Sequence, residues 1–249
     1  MPPRVLVVGV SGPSSSGKST LTRLMRDVLP RATTTPPRRA LILYEDDFYK
    51  PEVDIPVVDG VQDWDCPEAI DYAGLRAAVA HVRACGTVSA AVEEQSKEDR
   101  NELGKPPLET AAARALATRI LGDGAGAVLE ETLVCLVDGF LLFNDPELVK
   151  LLDVKLLLRA PYAKLKQRRE ARNGYATIEG FWVDPPGYFD DIVWPGYVRA
   201  HRDLFVGGDM DGPLAPAAVD AGIQVPPELD MTMAGLLEWA LAAVIAALA

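Results

Sequence analysis

Histidine is nearly absent: His81 and His201 are the only two in 249 residues. A Ser-His-Asp triad would have to use one of them, and a His-built metal site has almost no material. Cysteine is scarce too. Cys66, Cys85 and Cys135 are too few and too scattered for a disulfide framework, and no two share a metal-ligand spacing. Positive charge is short: 25 Lys and Arg stand against 36 Asp and Glu, a net of −11. That argues against a sequence-independent grip on nucleic acid and against an anionic membrane surface. Long apolar runs are also few. Only six apolar-type residues precede Ser11, too short a run for the core of a signal peptide. Residues 231–249 are almost wholly apolar, but they are rich in Ala, interrupted by Glu238 and lack basic flanks. The expectation there is a packed C-terminal helix rather than a membrane anchor, and a cytoplasmic protein.

What is present is a chain with the length of one generous α/β domain, 1–249. Short apolar, β-branched runs at 4–10, 40–44, 133–137 and 154–158 read as strands buried on both faces, with a fifth at 223–225. Helical spacing follows at 19–29, 67–85, 108–121 and 161–172. Buried strands alternating with helices predict an α/β fold: a doubly wound parallel sheet of about five strands flanked by helices, with a lid. Residues 87–131 carry a charged stretch and a Gly-rich turn at 122–126, and are expected as a surface insertion. Residues 161–197 are expected as the lid and substrate-facing region.

The strongest signal is Gly12-Pro13-Ser14-Ser15-Ser16-Gly17-Lys18-Ser19, which fits G-x-x-x-x-G-K-[ST] at every position. Its glycines let backbone N–H groups turn inward around phosphate oxygens. The helix that follows aims its positive end at the same anion. Lys18 would reach the β- and γ-phosphates of ATP, and the Ser19 hydroxyl would ligate Mg²⁺. No N-K-x-D guanine motif and no D-F-G occur, so neighbouring carboxylates must define the chemistry.

Asp46 and Asp47 directly follow the second strand, at the carboxyl end where open parallel sheets bind ligands. One of them could take the proton of an attacking hydroxyl. Adjacent residues of an extended chain point to opposite faces, so only one of the pair is expected to face the P-loop. Asp138 ends the third strand, the position from which a carboxylate holds Mg²⁺ in P-loop enzymes. Lys164, Arg168 and Arg172 recur at i, i+4 along a helix, with Arg169 beside them; such arginines can neutralise charge on a transferring phosphoryl group. Trp64-Asp65 and Tyr175 lie in loops, where an aromatic beside an acid suits a nucleoside.

In sum, these blocks resemble the nicotinamide riboside kinases, a branch of the uridine kinase-like P-loop kinases. The resemblance rests on GPSSSGKST, EDDFYKPE (45–52), WD-x-PEAI (64–70), VDGFLLFN (137–144), APY with the arginine helix (160–172) and PPGYFDDIVWPGY (185–197), in that order. It spans most of the chain outside 87–131 and the far C-terminus. It implies that Asp46 is the general base for the ribose 5′-hydroxyl and lies close to the metal, and that Lys18 is catalytic. It implies that Ser19, Asp46 and Asp138 serve Mg²⁺. Residues 12–20, ending in Thr20, together with Arg168, Arg172 and Gly174 would face ATP. Asp46, Asp47, Phe48, Tyr49, Trp64, Asp65, Arg169 and Tyr175 would face the nucleoside, with Arg169 and Asp65 sharing the ribose and Tyr175 covering the second face of the pyridine ring.

Three departures stand out. Trp64 takes a position where the resemblance implies Tyr, Asp138 one where it implies Glu, and the segment 173–186 is longer than expected, which leaves the register at Tyr175 open. The implied activity is ATP-dependent phosphorylation of nicotinamide riboside, or of nicotinic acid riboside, to the mononucleotide in NAD salvage. The implied state is a monomer or weak homodimer. A uridine/cytidine kinase, and a P-loop ATPase or nucleotide switch, remain alternatives. The cationic pyridinium favours the first reading, because two aromatic faces attract it by cation–π contact.

Overall fold

A computed structural model describes residues 4–30, 40–96, 107–172, 174–176 and 181–248. Five strands form one parallel sheet: β1 (Arg4–Ser11), β2 (Leu41–Tyr44), and then, after the flap hairpin β3 (Val57–Val58) and β4 (Val61–Gln62), β5 (Thr132–Asp138), β6 (Val154–Leu157) and β9 (Ile223–Gln224). A second hairpin, β7 (Tyr175–Ala176) and β8 (Phe181–Trp182), stands apart from the sheet. The spatial order is β2-β5-β1-β6-β9, so the chain winds outwards on both sides of β1. This is the doubly wound parallel sheet expected from the alternation of buried strands and helices.

The strand period of two explains the layers. Leu6, Val8 and Val10 of β1 join Val134 and Leu136 in one cluster, covered by α1 (Lys18–Val28), α4 (Thr110–Glu130) and α9 (Met233–Ala246). Val7 faces the other way with Leu133, Cys135 and Val137, beneath α2 (Tyr72–Cys85) and α5 (Pro146–Leu151). The apolar C-terminal stretch is α9, with Leu237, Ala240, Leu241 and Val244 buried. Among the described residues, no helix is long and apolar enough to cross a membrane.

Two expectations change. The helix expected at 67–85 is broken in two. A single 3₁₀ turn covers Pro67–Ala69, then Ile70 pairs with Tyr49, and Asp71 starts α2 by accepting a side-chain hydrogen bond from Gly74 N. The stretch 87–131, expected as a surface insertion, contains α3 (Ala90–Gln95) and puts α4 against the sheet. Ala113, Ala117, Leu121 and Leu129 are all buried in the cluster with α1 and α9. Ala113, Ala117 and Leu121 recur at intervals of four residues, the alanines allow close approach, and Leu129 joins them from beyond the break at Gly122. The expected Gly-rich turn is instead a single non-helical residue, Gly122, after which the helix resumes.

The register places the site. Val10 and Tyr44 both lie level with Asp138 across β5, and Ser11 lies level with Leu157. The P-loop, the acids after β2 and the end of β5 therefore emerge on one edge of the sheet. The segment expected as the lid contains α6 (Tyr162–Glu170), the β7–β8 hairpin, and the start of α7 (Trp194–His201), entered through a π turn. The remaining short helix is α8 (Pro216–Asp220).

Candidate active site

The P-loop backbone demands its glycines. Gly12 has φ +140°, and a Cβ there would lie 2.4 Å from the Leu158 carbonyl oxygen. Gly17 has φ +102°, and even Ser15 is left-handed at +66°. Helix α1 has no capping side chain and no acid in its first turn, so its leading N–H groups are left for an anion. The hydroxyls of Ser15 and Ser16 are buried without a hydrogen-bond partner. Buried polar atoms of this kind suit a bound phosphate, which would satisfy them. Lys18 is buried and donates from Nζ to the Pro13 carbonyl at 3.0 Å. Burial pushes its pKa down, while the charges of Asp138 and Asp46 pull it back up.

Asp138 ends β5 and is also buried. Burial raises its pKa, opposed by Lys18 and by hydrogen bonds from Thr22 and Ser19. Thr22 donates to Asp138 Oδ2 at 2.9 Å. The hydroxyl of Ser19 and the carboxylate of Asp138 thus meet on the floor of the P-loop.

The acids after β2 occupy a 3₁₀ turn, Glu45–Phe48, and not an extended strand. The turn, rather than strand alternation, separates them. Asp46 is exposed, and its charge is felt at Lys18, Asp138 and Asp65. Asp47 is buried, and Phe48 packs into the core with Leu43, Leu75 and Val79. Sequence reasoning missed Glu45, which has no exposed surface. Its Oε2 accepts from Leu141 N at 3.0 Å, while Oε1 has no hydrogen-bond partner. Burial pushes its carboxyl up to about 8. Gly139 leaves room for Glu45 and Leu142: a Cβ there would lie 2.6 Å from Glu45 Cβ and Oε2 and 2.5 Å from Leu142 Cδ2. The available signal was three consecutive acids leaving an apolar strand.

The residues expected to face the nucleoside gather around Arg169. Its NH1 and NH2 reach the two oxygens of Asp65 at 3.0 and 3.2 Å, a bidentate pair. NH1 also reaches Ser14 Oγ in the P-loop at 3.0 Å. A second carboxylate, Asp184, accepts from Nε at 2.7 Å and from NH2 at 3.1 Å. Burial raises the pKa of Asp65 and Arg169 lowers it, with Asp184 adding to the rise. Asp184 carried no motif of its own, and only its place before Pro185-Pro186 hinted at a turn.

Trp64 is flanked by Tyr49, edge-on at 5.4 Å between ring centroids, and by Trp182 at 6.2 Å and 55°. Trp182 rests on Trp64, and its indole Nε1 donates to Asp184 Oδ1 at 2.9 Å. Tyr175 pairs through its backbone with Trp182; the ring position expected for it lies outside the described residues. Arg168 NH1 donates to the Ser15 carbonyl at 3.1 Å, so α6 closes onto the P-loop. Arg172 is exposed, its charge acting on Lys18. Gly174 follows with φ +132°, a conformation that side chains rarely adopt.

The tripeptide His201-Arg202-Asp203 has the letters of a protein-kinase catalytic loop, but His201 is a packing residue. It is fully buried, stacked on Tyr197 at 4.2 Å, and its Nδ1–H bonds the Tyr197 carbonyl at 3.0 Å. Burial pushes its pKa down to about 4, so it stays neutral.

No family model matches the chain. It is 36% identical to the nicotinamide riboside kinase of Schizosaccharomyces pombe, over 98% of each chain. It is 35% identical to that of Saccharomyces cerevisiae, over 86% of this chain and 84% of the relative. With nicotinamide riboside kinase 2 of Mus musculus it shares 31% identity, over 80% of this chain and 81% of the relative.

Proposed function

This chain belongs to the nicotinamide riboside kinase family, and we propose that it transfers the γ-phosphoryl group of ATP to the ribose 5′-hydroxyl of nicotinamide riboside. One observation carries the reading. A single guanidinium, Arg169, is bonded both to Ser14 of the phosphate cradle and to Asp65, the acid beside Trp64. The grip on the nucleoside and the grip on phosphate are thus one connected unit.

The chain's own residues supply the chemistry of an in-line transfer. Backbone N–H groups of the P-loop after Pro13 and at the start of α1 hold the triphosphate. Lys18 and the lid arginines Arg168 and Arg172 offset charge on the transferring group. Asp46 receives the hydroxyl proton. Residues 161–197 act as the lid that excludes water. Trp64 and Trp182 offer the aromatic faces for a pyridinium ring.

Ser19, Asp138 and Asp46 would hold Mg²⁺. Their hard oxygen donors fit a cation that takes one or two carboxylates and otherwise phosphate oxygens and water. Among the described residues, no three His, Cys, Asp or Glu side chains gather as a metal cage. Bound there, Mg²⁺ would supply positive charge against the phosphates of ATP.

The test is ADP release with Mg-ATP and nicotinamide riboside, uridine, cytidine or no nucleoside. Turnover with nicotinamide riboside alone supports the reading. Turnover with uridine instead would leave the phosphate site standing and remove the pyridinium site. Equal release in every arm would make the protein an ATPase. Asp46→Asn is expected to lower kcat by at least about 100-fold while changing the nucleoside Kd little.

A further inference from the structure

Arg169 has five N–H groups, and the structure gives each one an acceptor. Nε donates to Asp184. NH1 donates to Ser14 and Asp65, and NH2 to Asp65 and Asp184. A saturated guanidinium has no N–H left for a ribose hydroxyl. In this arrangement the ribose would meet the remaining lone pairs of Asp65, and Arg169 acts as the clamp behind them.

Among the described residues, the charge at this clamp does not balance. One guanidinium is bonded to two carboxylates, a net charge of −1. The side chains of Arg169, Asp65 and Asp184 are only 6%, 8% and 19% exposed, so solvent screens the excess weakly. Both carboxylates adjoin an aromatic wall. Asp65 follows Trp64 in the chain, and Asp184 holds the indole N–H of Trp182. Trp64 and Trp182 adjoin each other, tilted by 55° with ring centroids 6.2 Å apart.

We propose that Asp184 is a specificity-determining residue. Its carboxylate leaves the Arg169 clamp with an uncompensated negative charge beside the aromatic walls, and so selects a cationic nucleoside over a neutral one. This rests on the functional reading above and deepens it. Stacking on Trp64 and Trp182 is open to any planar ring, whereas the excess charge rewards only a cation. Asp184 also holds Trp182 and two N–H groups of Arg169, so a purely structural role would weaken every nucleoside alike. The two roles therefore separate by ligand charge.

The experiment compares binding of nicotinamide riboside with that of its neutral 1,4-dihydro form, by calorimetry, in the full chain and in Asp184→Asn and Asp184→Glu. Ring size and carboxamide are shared, and the positive charge is not. Asp184→Asn is expected to weaken the cation about tenfold or more and the neutral form less than about threefold. Asp184→Glu, which keeps the charge, is expected to keep the preference for the cation, and it carries the test if the Asn variant fails to fold. Equal weakening of both ligands by Asp184→Asn, no weakening of either, or loss of the preference in Asp184→Glu would overturn the inference alone. Wild-type protein that neither binds nor phosphorylates either form would overturn the substrate reading together with it.

Discussion

Thr22 Oγ1 donates to Asp138 Oδ2 at 2.9 Å, joining the P-loop helix to the end of β5 across 116 residues of chain. Both groups are buried. The bond orients the carboxylate that shares the phosphate floor with Ser19 and Lys18. Thr22→Val keeps the side-chain shape and removes the donor. It is expected to cost about 1–2 kcal/mol of stability and to raise the KM for Mg-ATP severalfold, with the nucleoside Kd unchanged. Thermal unfolding and initial rates check both. A Thr22→Val protein with wild-type melting and KM would show the contact to be incidental.

The indole of Trp182 lies against Trp64, with ring centroids 6.2 Å apart. Trp182→Ala is expected to weaken nicotinamide riboside about tenfold, the scale of one desolvated cation–π contact, and to leave the KM for ATP within about twofold. Titration of each variant with the nucleoside reads this directly. A larger loss in Tyr175→Ala than in Trp182→Ala would return the role to Tyr175.

Glu45 carries a pH signature. Its folded carboxyl keeps its proton to about pH 8, against an ordinary value of 4.5. Between those values the folded chain binds more protons than the unfolded chain, so stability falls as pH rises, by up to about 1.4 kcal/mol per pH unit. Below the ordinary value the contribution is fully present. Glu45→Gln keeps an acceptor for Leu141 N and cannot ionise. Urea unfolding at several pH values from 5 to 8 is expected to give a flatter profile for the variant. Parallel profiles would mean that Glu45 is already ionised in the fold.

Leu129 is 1% exposed in the cluster between α4, α1 and α9. Leu129→Ala is expected to cost about 2–5 kcal/mol in chemical denaturation, with kcat/KM unchanged below the transition. A loss under about 1 kcal/mol would restore the expectation that 87–131 is a surface insertion.

Much of this was legible because it is local. The β-branched runs of β1 and β5 need burial on both faces, whatever follows them. Gly12, Gly17, Lys18 and Ser19 meet their phosphate-binding requirements within eight residues of chain. The same local reading found a helix at 108–121 but not the packing of α4, whose hydrophobicity is diluted by Ala and Gly. Such a stripe shows its purpose only when α1 and α9 supply the facing surface.

The sequence by itself determined that this chain builds a parallel sheet with a phosphate cradle at its edge. Periodicity, backbone freedom and helix starts act over one or two turns of chain. Only the tertiary structure decided that Asp46 alone of three adjacent acids is exposed, that Trp182 rests on Trp64, and that Arg169 answers to Asp184 as well as Asp65. Those outcomes depend on desolvation and charge compensation, and both are set by segments that meet from opposite ends of the chain.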